Sequence, residues 1–176
     1  VNWLISYSKY DTALESYFES YDSDLPKTRV TMRQILQAEE DLTEIVQLVG
    51  KESLAESDKV TLEVSRLIRE DFLQQNSYTK FDKFCPFYKT SGMLKNLVHF
   101  YQEARRTIQE SNGKITMATI KEQLKDIIYR LSSMKFELPS EGEEEITKKF
   151  NKNYSCSRCN SRIPNNSNNN NNSPWF

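Results

Sequence analysis

Four places in the chain hold residue types that could do chemistry. Glu52, Glu56 and Asp58 cluster in GKESLAESD. Paired carboxylates serve acid–base work when their environments push their pKa values apart. This spacing, however, belongs to an exposed turn and helix start, where capping and solvation explain them without chemistry. His99 is the only histidine and follows Val98 in an amphipathic run. A lone histidine needs a nucleophile and an orienting partner to catalyse anything, so a structural or surface role is its plainer reading. Cys156 and Cys159, in CSRC, have the spacing of half a zinc site. Tetrahedral zinc takes four ligands, and no second CxxC or histidine pair follows; a metal shared between two chains, or no role, fits better. In FDKFCPFYK, Phe81, Phe84, Phe87 and Tyr88 crowd around Cys85. Such density serves core packing or holds a flat ligand between rings, and periodicity does not separate the two.

The elements that must position these residues read as helices throughout. In residues 1–21, Trp3, Leu4, Tyr7, Leu14, Tyr17 and Phe18 recur at helical spacing, and DSDLP breaks the run. Residues 27–49 follow, with Val30, Ile35, Leu36, Leu42, Ile45, Val46 and Val49 on one broad stripe and Gly50 as the stop. Ser57 and Asp58 open a third helix whose inner face is Val60, Val64, Leu67, Ile68 and Phe72. Its amide-rich end, LQQN, favours exit. Residues 78–88 are loop, with Pro86 biasing Cys85 away from helix. A fourth helix fits residues 90–109, with Met93, Leu94, Leu97, Val98, Tyr101, Ala104 and Ile108 in phase. After a turn at Ser111, Asn112 and Gly113, a fifth runs over residues 116–134, capped by Thr116 and lined by Ile120, Leu124, Ile127, Ile128 and Leu131. No segment of useful length has the period of a strand. The fold class is all-α: a bundle of about five helices over residues 1–136. Residues 137–176 then form an acidic, asparagine-rich tail with too little apolar surface to fold. The folded part ends between Phe136 and Phe150.

Bulk composition excludes several functions. The chain has 176 residues, enough for one domain with a real core. A formal net charge of −1 leaves no Lys/Arg excess for a nucleic-acid surface. Four glycines and no GxxxxGK[ST] argue against a phosphate cradle in this chain. No run of about 18 apolar residues marks a membrane span, so no direct membrane insertion is expected. Three cysteines, one isolated and two in the tail, make no disulfide framework and suit a reducing compartment. Val1 is not an initiator methionine, and the chain reads as a piece of something longer.

Four blocks, VNWLISYSKY, EEDLTEIVQLVGKESLAESDKVTLEVSRLIREDFLQQNSY, FCPFYKT and DIIYRLSSMKF, closely resemble the C-terminal part of the catalytic A subunit of eukaryotic vacuolar-type proton ATPases. The resemblance covers roughly residues 1–136 and implies an α-helical bundle. It also implies that GKESLAESD forms a tip facing the rotating central stalk, giving Glu52, Glu56 and Asp58 a part in rotor coupling. Tyr78, in FLQQNSY, matches an aromatic residue that stacks on the adenine of bound nucleotide, with Gln75 as a polar neighbour. Cys85 matches a cysteine that pairs with one in the phosphate-binding loop, a redox switch whose partner this chain lacks. By the same resemblance, the partners are V-type ATPase B subunits and central-stalk subunits, with no nucleic acid. The implied location is cytoplasmic, peripheral on the cytosolic face of acidic organelles. ATP with Mg2+ is implied only within a full-length subunit; this chain alone is expected to bind no cofactor, hold no catalytic residue and hydrolyse nothing. Beyond Phe136, departure from the family pattern is expected. A truncated, inactive helical interaction module and, more weakly, a CxxC metal-binding module stand as alternatives.

Overall fold

The centre of the molecule is the helix that follows Pro86. The computed structural model describes residues 3, 5–111 and 114–157, with side chains of the final helix to Asn153. Among the described residues there are seven α-helices and no strand. These are α1 (Asp11–Tyr21), α2 (Leu25–Val49), α3 (Glu56–Leu67), α4 (Phe87–Glu110), α5 (Met117–Gln123), α6 (Lys125–Ser133) and α7 (Glu143–Ser157). The all-α reading holds.

Helix α4 buries Met93, Leu97, Phe100, Ala104 and Ile108 on one side and Leu94, Val98 and Tyr101 beside them. A helix apolar over so much of its circumference must be covered on several sides. Ile35 and Leu36 of α2, Val60, Val64 and Leu67 of α3, and Ile120, Ile127 and Leu131 of α5 and α6 join it in one core. Start and stop signals behave as their chemistry requires. Pro26 occupies the first turn of α2, where its missing N–H costs nothing. Gly50 ends that helix at φ +83°, a left-handed value that favours glycine, and its N–H donates to the Val46 carbonyl. Thr116 caps α5 by accepting the Thr119 N–H at 3.3 Å.

Several expectations need correction. Helix α1 begins only at Asp11 and has no fully buried residue, Phe18 packing half-buried against the core; upstream, the Tyr10 N–H donates to Ser8 Oγ, a local bond that competes with helix. In α2 only Leu25, Thr28, Ile35 and Leu36 are buried. Val30 of the expected inner stripe faces outward between them, and Ile45 and Val49 are exposed in the second half, where no residue of the helix is buried. Ser57 does not cap α3: the helix starts at Glu56, after Ala55, with no side-chain cap. Helix α4 starts at Phe87, since Pro86 suits the residue before a helix and does not end the loop later. The single fifth helix is two, broken at Leu124 (φ −105°, ψ 19°) while Ile120, Ile127 and Leu131 stay buried.

The largest correction concerns the end of the fold. Residues 137–157 are structured: a 3-10 turn, Pro139–Glu141, leads into α7. Ile146 and Phe150 of α7 are 0% and 3% exposed and belong to the core. Gly92 of α4 makes room for the Phe150 ring; a Cβ there would lie 2.5 Å from Phe150 Cδ2. Lys149 ties α7 back to Glu137 and Glu141, both at 2.5 Å. The asparagine tract and Cys159 lie outside the described residues, as do Asn112 and Gly113 of the expected turn, and the side chain of Cys156 with them.

Candidate functional site

Helix α3 does not stop cleanly. It widens into a π-helical turn, Ile68–Leu73, closed by the Gln74 N–H donating to the Arg69 carbonyl at 2.9 Å. Wide turns of this kind redirect the chain and recur at functional sites. Here the turn launches the loop of residues 74–86.

That loop is bonded internally. Asp82 is buried, and its Oδ2 accepts the Asn76 N–H at 3.0 Å. Asn76 Oδ1 accepts the Tyr78 N–H at 3.0 Å, and its carbonyl accepts Thr79 Oγ1 at 2.8 Å. An asparagine that bonds two residues ahead mimics a backbone turn and needs no help from solvent. Tyr78 stands at the tip of this turn with 95% of its surface exposed. Gln75 is exposed on the same loop.

The aromatic crowd around Cys85 divides into two groups. Phe81 packs edge-on against Phe136, with centroids 5.1 Å apart. Phe87 stacks on Phe18 at 5.7 Å and meets Tyr21 at 4.7 Å, docking α1. Tyr88 donates its hydroxyl to the Pro139 carbonyl. These three are packing. Tyr78 and Phe84, the latter 76% exposed, point away from the core. Cys85 is a free, half-buried thiol with Sγ 3.5 Å from Thr90 Oγ1.

A second surface lies at the turn between α2 and α3. Leu48 is 85% exposed there beside Ile45 and Val49, and Glu52 is exposed in the 3-10 turn Lys51–Ser53. Asp58 is half-buried. Glu56 does not face outward with Glu52. It accepts the Met117 N–H at 2.6 Å and the Lys59 ammonium at 2.8 Å. Those two bonds, Lys59 first, hold its carboxyl below the ordinary range. Seven residues on, the buried Glu63 binds Lys121 at 2.7 Å and Arg66 at 2.9 Å. Two carboxylates of α3 therefore brace it against α5, and one of them is a residue expected at the outer tip.

His99 is buried on α4, in keeping with a structural residue. Among the described residues no three of His, Cys, Asp and Glu converge to hold a metal. Nor is any described helix long and apolar enough to cross a membrane.

Residues 14–116, which include both surfaces, match the C-terminal domain of V and A type ATP synthase. The chain belongs to that family. Among its relatives are V-type proton ATPase catalytic subunits A of Arabidopsis thaliana, 54% identical over 158 residues, and Caenorhabditis elegans, 56% over 154 residues. The subunit of Zea mays is 54% identical over 158 residues. These matches take in 88%, 85% and 88% of this chain, but it spans only 25% to 28% of each relative's length. A match over 158 residues necessarily passes Phe136, so the likeness runs into the region where departure was expected.

Two residues of the fold escape sequence reasoning altogether. Lys89 is fully buried, and its ammonium donates to the carbonyls of Phe81, Lys135 and Glu137 at 2.9, 2.7 and 2.8 Å. Lys135 donates to the carbonyls of Glu70 and Gln74 at 3.0 and 2.7 Å. Neither has a periodicity or motif signal, because their acceptors are backbone groups far away in sequence.

Proposed function

We propose that this chain is the C-terminal helical part of a proton-translocating V-type ATPase catalytic subunit. In this reading it supplies the adenine-side wall of the nucleotide site and passes motion to a rotating central stalk. The observation that carries the reading is Tyr78: an almost fully exposed aromatic ring on a turn held by its own hydrogen bonds. An exposed tyrosine of this kind offers a flat face at low ordering cost, which suits stacking on a base. Gln75 lies beside it as a polar contact for the base edge. The phosphates, Mg2+ and the chemistry of hydrolysis belong to the remainder of the subunit, since phosphoryl transfer rests on charged groups that cradle the phosphates.

The stalk-facing surface is the α2–α3 turn, where Leu48, Ile45 and Glu52 are exposed. Asp58 flanks it, and Glu56 serves it from behind by tying α3 to α5. Apolar side chains at this tip carry the contact, because exposed charges alone contribute little. Cys85 is placed to respond to oxidation with a thiol outside this chain. Assembly with B subunits and stalk subunits, peripheral on the cytosolic face of acidic organelles, completes the reading.

The test is Tyr78→Ala in a full-length subunit carrying this region. Loss of base stacking, on the order of 1–3 kcal/mol, raises the Kd for ATP by roughly 5- to 150-fold. An unchanged Kd would remove Tyr78 from the site.

A further inference from the structure

The loop that presents Tyr78 hangs between two lysine ammonium groups. At its start, Lys135 Nζ takes the carbonyls of Glu70 and Gln74, oxygens that the π-helical turn leaves without an ordinary helical donor. In its middle, Lys89 Nζ takes the Phe81 carbonyl. The two lysines are themselves joined, because Lys89 also binds the carbonyl of Lys135. Its third acceptor is the Glu137 carbonyl, so all three ammonium protons are used. Ser132 adds a parallel tie, donating to Asp71 Oδ2 at 2.7 Å. The Phe81 ring stands 6.0 Å from Lys89 Nζ, and Phe136 closes over Phe81.

Burying a lysine without a carboxylate partner is costly. Burial indeed pushes the Lys89 amine below the ordinary lysine range, opposed by the nearby Cys85, Asp82 and Glu137. A hydrophobic side chain would fill the same space without that cost. What only the ammonium supplies is a three-way link between the loop, the end of α6 and the chain leaving it.

We propose that Lys89 and Lys135 are positioning residues that preorganise the Tyr78 platform for a purine base. This rests on the reading of Tyr78 as the base contact. Tyr78 lies between the two tethered points, Gln74 and Phe81, and its turn is closed by Asn76 and Asp82. Such a loop surrenders little conformational freedom when a base stacks on it, and affinity gained this way is lost when the tethers are cut.

Lys135 is the residue to change first, because it is only half-buried. In the 176-residue chain, Lys135→Met should speed amide hydrogen exchange at Tyr78, Thr79 and Lys83 by about tenfold, while Leu97 and Ala104 of α4 stay protected. Lys135→Arg, which keeps the donors, should behave as the parent does. In a full-length subunit, Lys135→Met should raise the Kd for ATP roughly tenfold and leave tripolyphosphate binding unchanged, since only the base-side contact is disturbed. Lys89→Met should do the same or more. Unchanged loop exchange, or parallel loss of ATP and tripolyphosphate binding, would overturn the proposal. If Tyr78→Ala leaves ATP binding intact, the base reading and the purine assignment fall together. If Tyr78→Ala weakens ATP and the lysine variants do not, the base reading stands and the positioning role fails.

Discussion

Phe150→Ala is the most direct test of where this fold ends. Phe150 is 3% exposed, and its ring lies over Gly92 in the second turn of α4. Removing the ring leaves a cavity that a glycine cannot fill, so the site has little means of collapsing. Phe→Ala in such a core costs about 3–5 kcal/mol. Against a domain stability on the order of 5–15 kcal/mol, that is a large fraction. With a urea slope of roughly 1–3 kcal/mol/M, the unfolding midpoint should fall by about 1–5 M. Urea titration of the full chain, followed by far-ultraviolet circular dichroism, reads it directly. Tyr129→Ala is the control, because that side chain is 74% exposed and its loss should move the midpoint little. A Phe150→Ala shift below about 0.3 M would mean that α7 contributes nothing to the core. The bundle would then end near Phe136, where the acidic composition suggests.

Two further outcomes follow from close contacts in the same structure. Gly92→Ala should destabilise by about 1–3 kcal/mol despite its better helix propensity, because the new methyl meets the Phe150 ring. Combined with Phe150→Ala the same change should become neutral or stabilising, and a double-mutant cycle measures that coupling. The second outcome concerns acid. Burial raises the Glu63 pKa, but hydrogen bonds from Lys121 and Arg66 outweigh it and hold the carboxyl below its ordinary 4.5. A lowered folded pKa contributes stability that is present above the unfolded value and lost as pH falls through the folded one. Urea midpoints should therefore hold above about pH 5 and decline below it. Glu63→Gln should cost about 1–2 kcal/mol at pH 7, with its cationic partners half-exposed, and should flatten the decline. An equally steep decline in the variant would assign the acid sensitivity to other carboxylates.

The candidate site was legible in parts, and the parts differ in kind. Tyr78 and Gln75 were singled out by resemblance to a family, and the residues around them left core packing and ligand binding open. Structure divides the aromatic group because burial is a tertiary property: Phe81, Phe87 and Tyr88 find partners on other elements, and Tyr78 stays 95% exposed among the described residues. Glu56 looked like one more exposed acid at a helix start. Its orientation is decided by the Met117 N–H, 61 residues away.

What the sequence determined by itself is local. Helical periodicity set the all-α class and the inner face of α4, Gly50 and Thr116 marked ends that backbone chemistry enforces, and Pro26 marked a beginning. Periodicity says which side chains share a face and not whether anything covers it. Hence Ile45 and Val49 read as core and stand exposed, while Ile146 and Phe150 sit in an acidic, lysine-rich run and are core. Only the tertiary structure could place Lys89. Its acceptors are carbonyl oxygens, identical in every residue type, and two of them come from 46 and 48 positions further along the chain. A group recognised by backbone alone leaves no mark on the sequence of its partners, so that buried ammonium becomes visible only once the chain has folded.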